Sequence, residues 1–280
     1  MSELQDLGTF YREKRVSRGY SLNDIESDYL DKGQVSRFEN GLAMLSAEAL
    51  VYAIEGINMT PSEFFTSKGN YDTGILRKFG NEFQSYMFNC DAEGLRSMII
   101  ASPRRTDKKL FNVIVKCAIR DITTENLLTS KDTEFIDKYL TNIENWTIFE
   151  VNIFSLCLEA LDIDLARDLG KEMIKRDKLY KVLAYNAFMV KEALINLYCH
   201  MILHGKYYYA EEFEKELEKL LTPLDVKEKI FFHIFKKIGQ YRQEGKAEAL
   251  AEIKKDIEFL KAFDLQVLAD RVEMLMTNYE

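Results

Sequence analysis

From residue 75 to residue 278 the chain reads as eleven successive amphipathic segments, about 75–89, 91–101, 107–120, 132–145, 147–160, 163–177, 180–204, 207–221, 224–243, 247–262 and 265–278. In 207–221, Tyr209, Phe213, Leu217, Leu220 and Leu221 recur at helical spacing while Glu and Lys fill the other face. A period near 3.6 cannot place such residues on one side of a strand. The 3 Pro and 13 Gly leave few breaks, so the expected fold class is all-α. The segments pair into hairpins of about 35 to 40 residues, close to the period of tetratricopeptide-like repeats, which predicts an α-solenoid. No literal residue pattern is shared between the pairs, so the repeat is structural.

Apolar residues make up 47% and aromatics 12%, enough to build a core and to exclude global disorder. Cys90, Cys117, Cys157 and Cys199 form no CxxC pair and are expected to be buried, reduced thiols. The opening MSELQDLGTF has no basic start with an apolar run, so a cytoplasmic protein is expected. Segment 180–203 is apolar, but Lys181, Asn186, Lys191, Glu192, Asn196 and His200 interrupt it. That density of polar groups argues against a membrane span and for the central helix of a bundle.

Residues 1–66 have a different texture. Five short helices are expected: Leu4 to Ser17, Leu22 to Ser27 behind a Ser21–Asp24 capping box, Gln34 to Asn40, one capped by Ser46, and one opened by Thr60-Pro61-Ser62-Glu63. A polar stretch, 67–74, is the expected linker to the helical-repeat region 75–280. Leu22, Ile25, Leu30, Val35 and Phe38 supply the apolar contacts of a helix-turn-helix. They leave Gln34, Ser36 and Arg37 of GQVSRFENG outward, where Gln suits adenine, Arg suits guanine and Ser suits a phosphate or base edge. Arg12, Lys14, Arg15 and Arg18 form a basic cluster for phosphates, with Arg12 and Arg15 the chosen contacts; a pair with Glu39 is the structural alternative for Arg15. Charge opposes this reading. Residues 1–66 hold six basic and eleven acidic side chains, a net of −5 within a chain of −8. Such a unit needs dimerisation to double its contacts with double-stranded promoter DNA.

The stretch LGTFYREKRVSRGYSLNDIESDYLDKGQVSRFENG resembles the helix-turn-helix of the Rgg/GadR/MutR regulators of Gram-positive bacteria. ENWTIFEV, DLGKEMIKR, LINLYCHMIL and KEKIFFHIFKKIGQYRQEG follow in the order of that family's helical domain, so the resemblance spans nearly the whole chain. It implies a homodimeric cytosolic transcription factor whose repeat domain binds a short hydrophobic peptide pheromone and thereby alters promoter activity.

A concave helical face that takes an extended peptide must satisfy backbone amides, which Asn side chains do as donor and acceptor at once. Asn is a poor helix former, so Asn152, Asn186 and Asn196 inside apolar helices are the candidate peptide contacts, against the alternative of bonds internal to the bundle. Asn196 leads, because LINLYC resembles the family's Asn-bearing helix. Phe149, Phe231, Phe232, Phe235 and Tyr241 are candidates for the apolar floor, with simple core as the alternative. The family often carries Gly-Asn where this sequence has Ser155-Leu156, and Asn152 one turn earlier is the expected replacement.

His200 and His204 share a helix face, but no Glu follows His200 as in HExxH and no Cys-rich partner is evident, so no metal is expected. No GxGxxG, P-loop or GxSxG occurs, Asp162-Ile-Asp164 reads as a helix start, and neither an enzyme nor a cofactor is expected. Two alternatives remain: a helical-repeat scaffold whose N-terminal unit contacts protein rather than DNA, and a regulator of this fold that needs no peptide. Helices 247–278 are the candidate dimer interface.

Overall fold

The structure, a computed structural model, describes residues 3–68, 75–175, 184–245 and 247–278. The chain divides into two compact units, Met1–Glu82 and Phe83–Glu280. Every regular element among the described residues is a helix. Most of the expected linker, and Lys181, lie outside the described residues.

The first unit holds α1 (Glu3–Ser17), α2 (Lys32–Glu39), α3 (Ala47–Gly56) and α4 (Pro61–Ser67). Its helix starts are local chemistry. Ser46 accepts from the Ala49 amide at 3.1 Å, and Thr60 and Glu63 cap one another's backbone ahead of Pro61. The helix expected at 22–27 does not form. The Ser21–Asp24 bonds are made, at 2.7 and 3.3 Å, yet only turns follow, because Ser27 pairs with Leu30 across a reversal of the chain. One turn of capped backbone does not repay helix nucleation when the next residues bond elsewhere. Four described helices therefore stand where five were expected. The next helix starts two residues early, since Asp31 rather than a later residue caps it, accepting from the Gln34 amide at 3.0 Å.

Beyond α4 come α5 (Ile75–Phe88), α6 (Ala92–Ser97), α7 (Thr106–Thr123), α8 (Ser130–Thr141), α9 (Ile148–Leu156), α10 (Ile163–Lys175), α11 (Ala184–Leu203), α12 (Tyr207–Leu220), α13 (Val226–Glu244), α14 (Ala247–Ala262) and α15 (Gln266–Asn278). Each of the eleven expected segments holds a helix among its described residues, and neighbours such as α6 with α7, α11 with α12 and α13 with α14 pack as hairpins. Segment 147–160 breaks at Cys157, whose amide is shared between the Ile153 and Phe154 carbonyls, and a 3-10 turn Leu158–Ala160 follows. Asp162 caps α10 through the amides of Asp164 and Leu165, as a helix start should.

Helix α11 is the axis of the second unit, in contact with α9, α10, α12 and α13. Val190, Ala193, Leu194, Leu197, Tyr198 and Met201 are buried along it. Its polar interruptions have partners: Lys191 pairs with Asp225 at 2.7 Å, Glu192 with Lys227, Asn196 with Ser155 and His200 with Glu159. No described helix is long and apolar enough to cross a membrane. All four cysteines are free thiols, and Cys117 and Cys157 are buried. Cys90 departs from expectation: it is exposed, at φ 50° in the turn between α5 and α6, where it has no core to enter.

Candidate functional site

In the first unit α2 lies on a core of Leu7, Tyr11, Ile25, Leu30, Leu50 and Ile54, into which it sends Val35 and Phe38, both fully buried. Helix α1 approaches so closely that a Cβ on Gly8 would sit 1.9 Å from the Phe38 carbonyl oxygen, so this crossing requires glycine. Tyr11 donates to the Ala53 carbonyl at 2.9 Å and ties α1 to α3. The far end of α2 closes on Gly41 at φ 69°, whose amide donates to the Phe38 carbonyl at 2.9 Å.

That packing sorts the residues chosen for DNA. Arg12, Gln34 and Arg37 are exposed and Ser36 is half-buried beside them. Arg15 is corrected: it is buried, bonds both Glu39 oxygens at 2.6 and 2.8 Å, and donates to the Tyr20 carbonyl at 2.6 Å. A guanidinium whose fork is occupied in this way braces α1 against α2 and cannot reach a phosphate. Arg18, also in the basic cluster, donates to the Ile57 and Asn58 carbonyls at 2.8 and 2.9 Å, closing the end of α3.

In the second unit Asn196 is exposed and donates to the Ser155 hydroxyl at 2.8 Å. Phe149 and Asn152 are half-buried on the same helix, α9, as Ser155. Ser155, at one of the two positions where the sequence departs from the family's Gly-Asn, is the acceptor of this bond. Asn186 is half-buried and has interactions of its own. Phe231 and Tyr241 are half-buried on α13. Phe235 is corrected: it is 1% exposed, 6.4 Å from the Phe231 ring, and belongs to the core. Phe232 packs edge-on against Tyr198 at 5.1 Å. A cavity of about 630 Å³ opens where α12 meets α13, walled by Leu221, Pro223, Val226, Ile230, Phe232 and His233. Among these the sequence marks only Phe232 as a candidate; the others lie around and after the Thr222-Pro223 corner, which sequence marks as a turn and not as a concavity.

One turn beyond Asn196, the His200 and His204 rings both face Glu159, each 3.1 Å from its Oε1. Burial opposes ionisation of Glu159, but hydrogen bonds from the two rings outweigh it and hold the carboxyl below the usual range. At His200 burial wins and lowers the ring's pKa.

A unit of short helices followed by stacked helical hairpins is the all-helical architecture in which the comparisons with known proteins place a family of transcriptional regulators. Residues 100–274 match the C-terminal domain of the HTH-type transcriptional regulator Rgg, and the chain belongs to that family of regulators. Its fold is similar to that of the SHP pheromone receptor Rgg2 of Streptococcus dysgalactiae, with TM-score 0.75 and 18% identity over 98% of this chain and 100% of that one. A candidate transcriptional regulator from Listeria monocytogenes EGD-e aligns with TM-score 0.76 and 17% identity over 99% and 97% of the two chains. The PrgX/cCF10 complex aligns with TM-score 0.65 and 13% identity over 97% and 99%. At these identities the likeness carries the fold.

Proposed function

We propose that the chain acts in the cytosol as a homodimer, reads promoter DNA through α2, and takes a short apolar peptide in its repeat unit that changes promoter output. The observation that carries the DNA reading is the division of α2: Val35 and Phe38 are anchored in the core while Gln34 and Arg37 stand exposed. The peptide reading is supported by the Rgg2 structure, described as a pheromone receptor, and by the PrgX complex. Locally it is supported by the exposed Asn196 amide, whose bond to Ser155 a peptide backbone can replace. Exposed Phe259 and Phe263, 4.9 Å apart on and just beyond α14, suit the proposed dimer interface.

A gel shift on the protein's own upstream DNA tests the first half. Gln34→Ala and Arg37→Ala should each weaken binding by about 1–3 kcal/mol. Unchanged binding would remove α2 as the reader and favour the scaffold reading, which the −5 balance of residues 1–66 supports. For the second half, Asn196→Ala should weaken a fluorescent apolar peptide by about tenfold, the loss of one well-made hydrogen bond. Equal affinity would take Asn196 out of the pocket.

A further inference from the structure

His200 and His204 lie one turn apart on α11, and Glu159 reaches both from the 3-10 turn Leu158–Ala160. Glu159 Oε1 is 3.1 Å from His200 Nδ1 and 3.1 Å from His204 Nε2, and the three ligand atoms all lie within 4.8 Å of one another. Two arrangements fit these distances. In one, each ring carries a proton on the nitrogen facing the carboxylate and donates it. In the other, lone pairs face a common centre: ligands on a tetrahedral ion with bonds of about 2.0–2.1 Å sit about 3.3 Å apart, close to the two distances from Glu159 to the rings.

We propose that Glu159, His200 and His204 form a three-ligand site for a divalent transition-metal ion of the zinc class. Two imidazoles and one carboxylate suit Zn²⁺ or Co²⁺, whereas Ca²⁺ and Mg²⁺ seek all-oxygen shells. The buried side of the site is formed by Glu159 and His200, with side chains 7% and 8% exposed; His204, 30% exposed, leaves a path for the ion and for a water as fourth ligand. Arg120 Nε stands 3.0 Å from Glu159 Oε2, which turns Oε1 toward the two rings. Binding moves only protons. A neutral ring shifts its proton to the remote nitrogen, Nε2 of His200 or Nδ1 of His204, and a charged ring releases one to solvent.

The site is also prepared by its neighbours. Ser155 and Asn196 bond at 2.8 Å, and each lies four residues before Glu159 and His200 respectively. The two contacts are successive rungs between the same two chain segments, so the ligands are already in register before an ion arrives. An ion would cross-link the 3-10 turn to α11 and stabilise the folded second unit.

The test uses the untagged full-length chain with Co²⁺ alone as the probe, then Zn²⁺ as competitor. One equivalent of Co²⁺ should give the intense visible absorption of a four-coordinate ion, Zn²⁺ should abolish it, and Zn²⁺ should raise the Tm. His204→Gln keeps a donor for Glu159 at an exposed position and should fold normally by circular dichroism. It should bind Co²⁺ at least about tenfold more weakly and lose the spectrum; Glu159→Gln should behave alike. Absence of one-to-one Co²⁺ binding by the wild type would overturn the site, as would a spectrum that survives in His204→Gln and Glu159→Gln.

Discussion

Arg15 and Arg12 sit three residues apart on one helix and have opposite fates. Arg15 is held in a buried two-pronged pair with Glu39, their side chains 9% and 4% exposed, while Arg12 faces solvent. Removing one partner of such a pair leaves a buried carboxylate uncompensated, so Arg15→Ala should destabilise the first unit by about 3–5 kcal/mol. Arg12→Ala should stay within about 0.5 kcal/mol while weakening DNA binding. Urea denaturation of both variants checks this, and an Arg15→Ala cost below about 1 kcal/mol would dismiss the brace. The sequence offered the pair with Glu39 as an alternative for Arg15; it could not rank the two, because burial is set by Phe38 and Tyr11 packing around them.

At the scale of elements, α11 and α13 meet through an acid pair, the half-buried Glu192 and the buried Glu228. Glu228 is 4% exposed; burial first, and then a hydrogen bond with Glu192, raises its pKa above the ordinary 4.5. The folded chain therefore holds this proton more tightly than the unfolded chain. The contact contributes fully below 4.5 and is lost as pH rises through the raised value. Glu228→Gln keeps a donor toward Glu192 and carries no charge. Its Tm should exceed that of the wild type at neutral pH and change less as pH rises above 4.5. Parallel Tm profiles would show that Glu228 is ionised throughout. The helices that meet here were legible from period and caps, whereas their facing carboxylates were not, since residues 192 and 228 become neighbours only when the helices pack.

For the whole molecule the acidic balance bears on the proposed DNA binding. Residues 1–66, of net −5, gain little from long-range attraction, so on the proposed reading a few local arginines in a two-fold dimer would supply the phosphate contacts. Each phosphate neutralised contributes about 0.9 to the slope of log affinity against log salt. Arg12→Ala should therefore reduce that slope by about 1.8, two contacts being lost per dimer. A change of about 0.9 would indicate a single bound copy, and none would free Arg12 of any phosphate.

What the sequence determined by itself is the all-helical class, nearly every helix, the helix starts at Ser46, Thr60 and Asp162, and the division of α2 into a buried and an exposed side. Periodicity, proline placement and hydroxyl or carboxylate caps act within about four residues, and that range is visible in a linear string. Tertiary structure decided the rest. It unmade the helix expected at 22–27 by pairing Ser27 with Leu30, put Phe235 into the core and left Cys90 outside it. It also brought Glu159 to two histidines more than forty positions away. Burial and long-range partners depend on which surfaces meet, and no local pattern of residues encodes that.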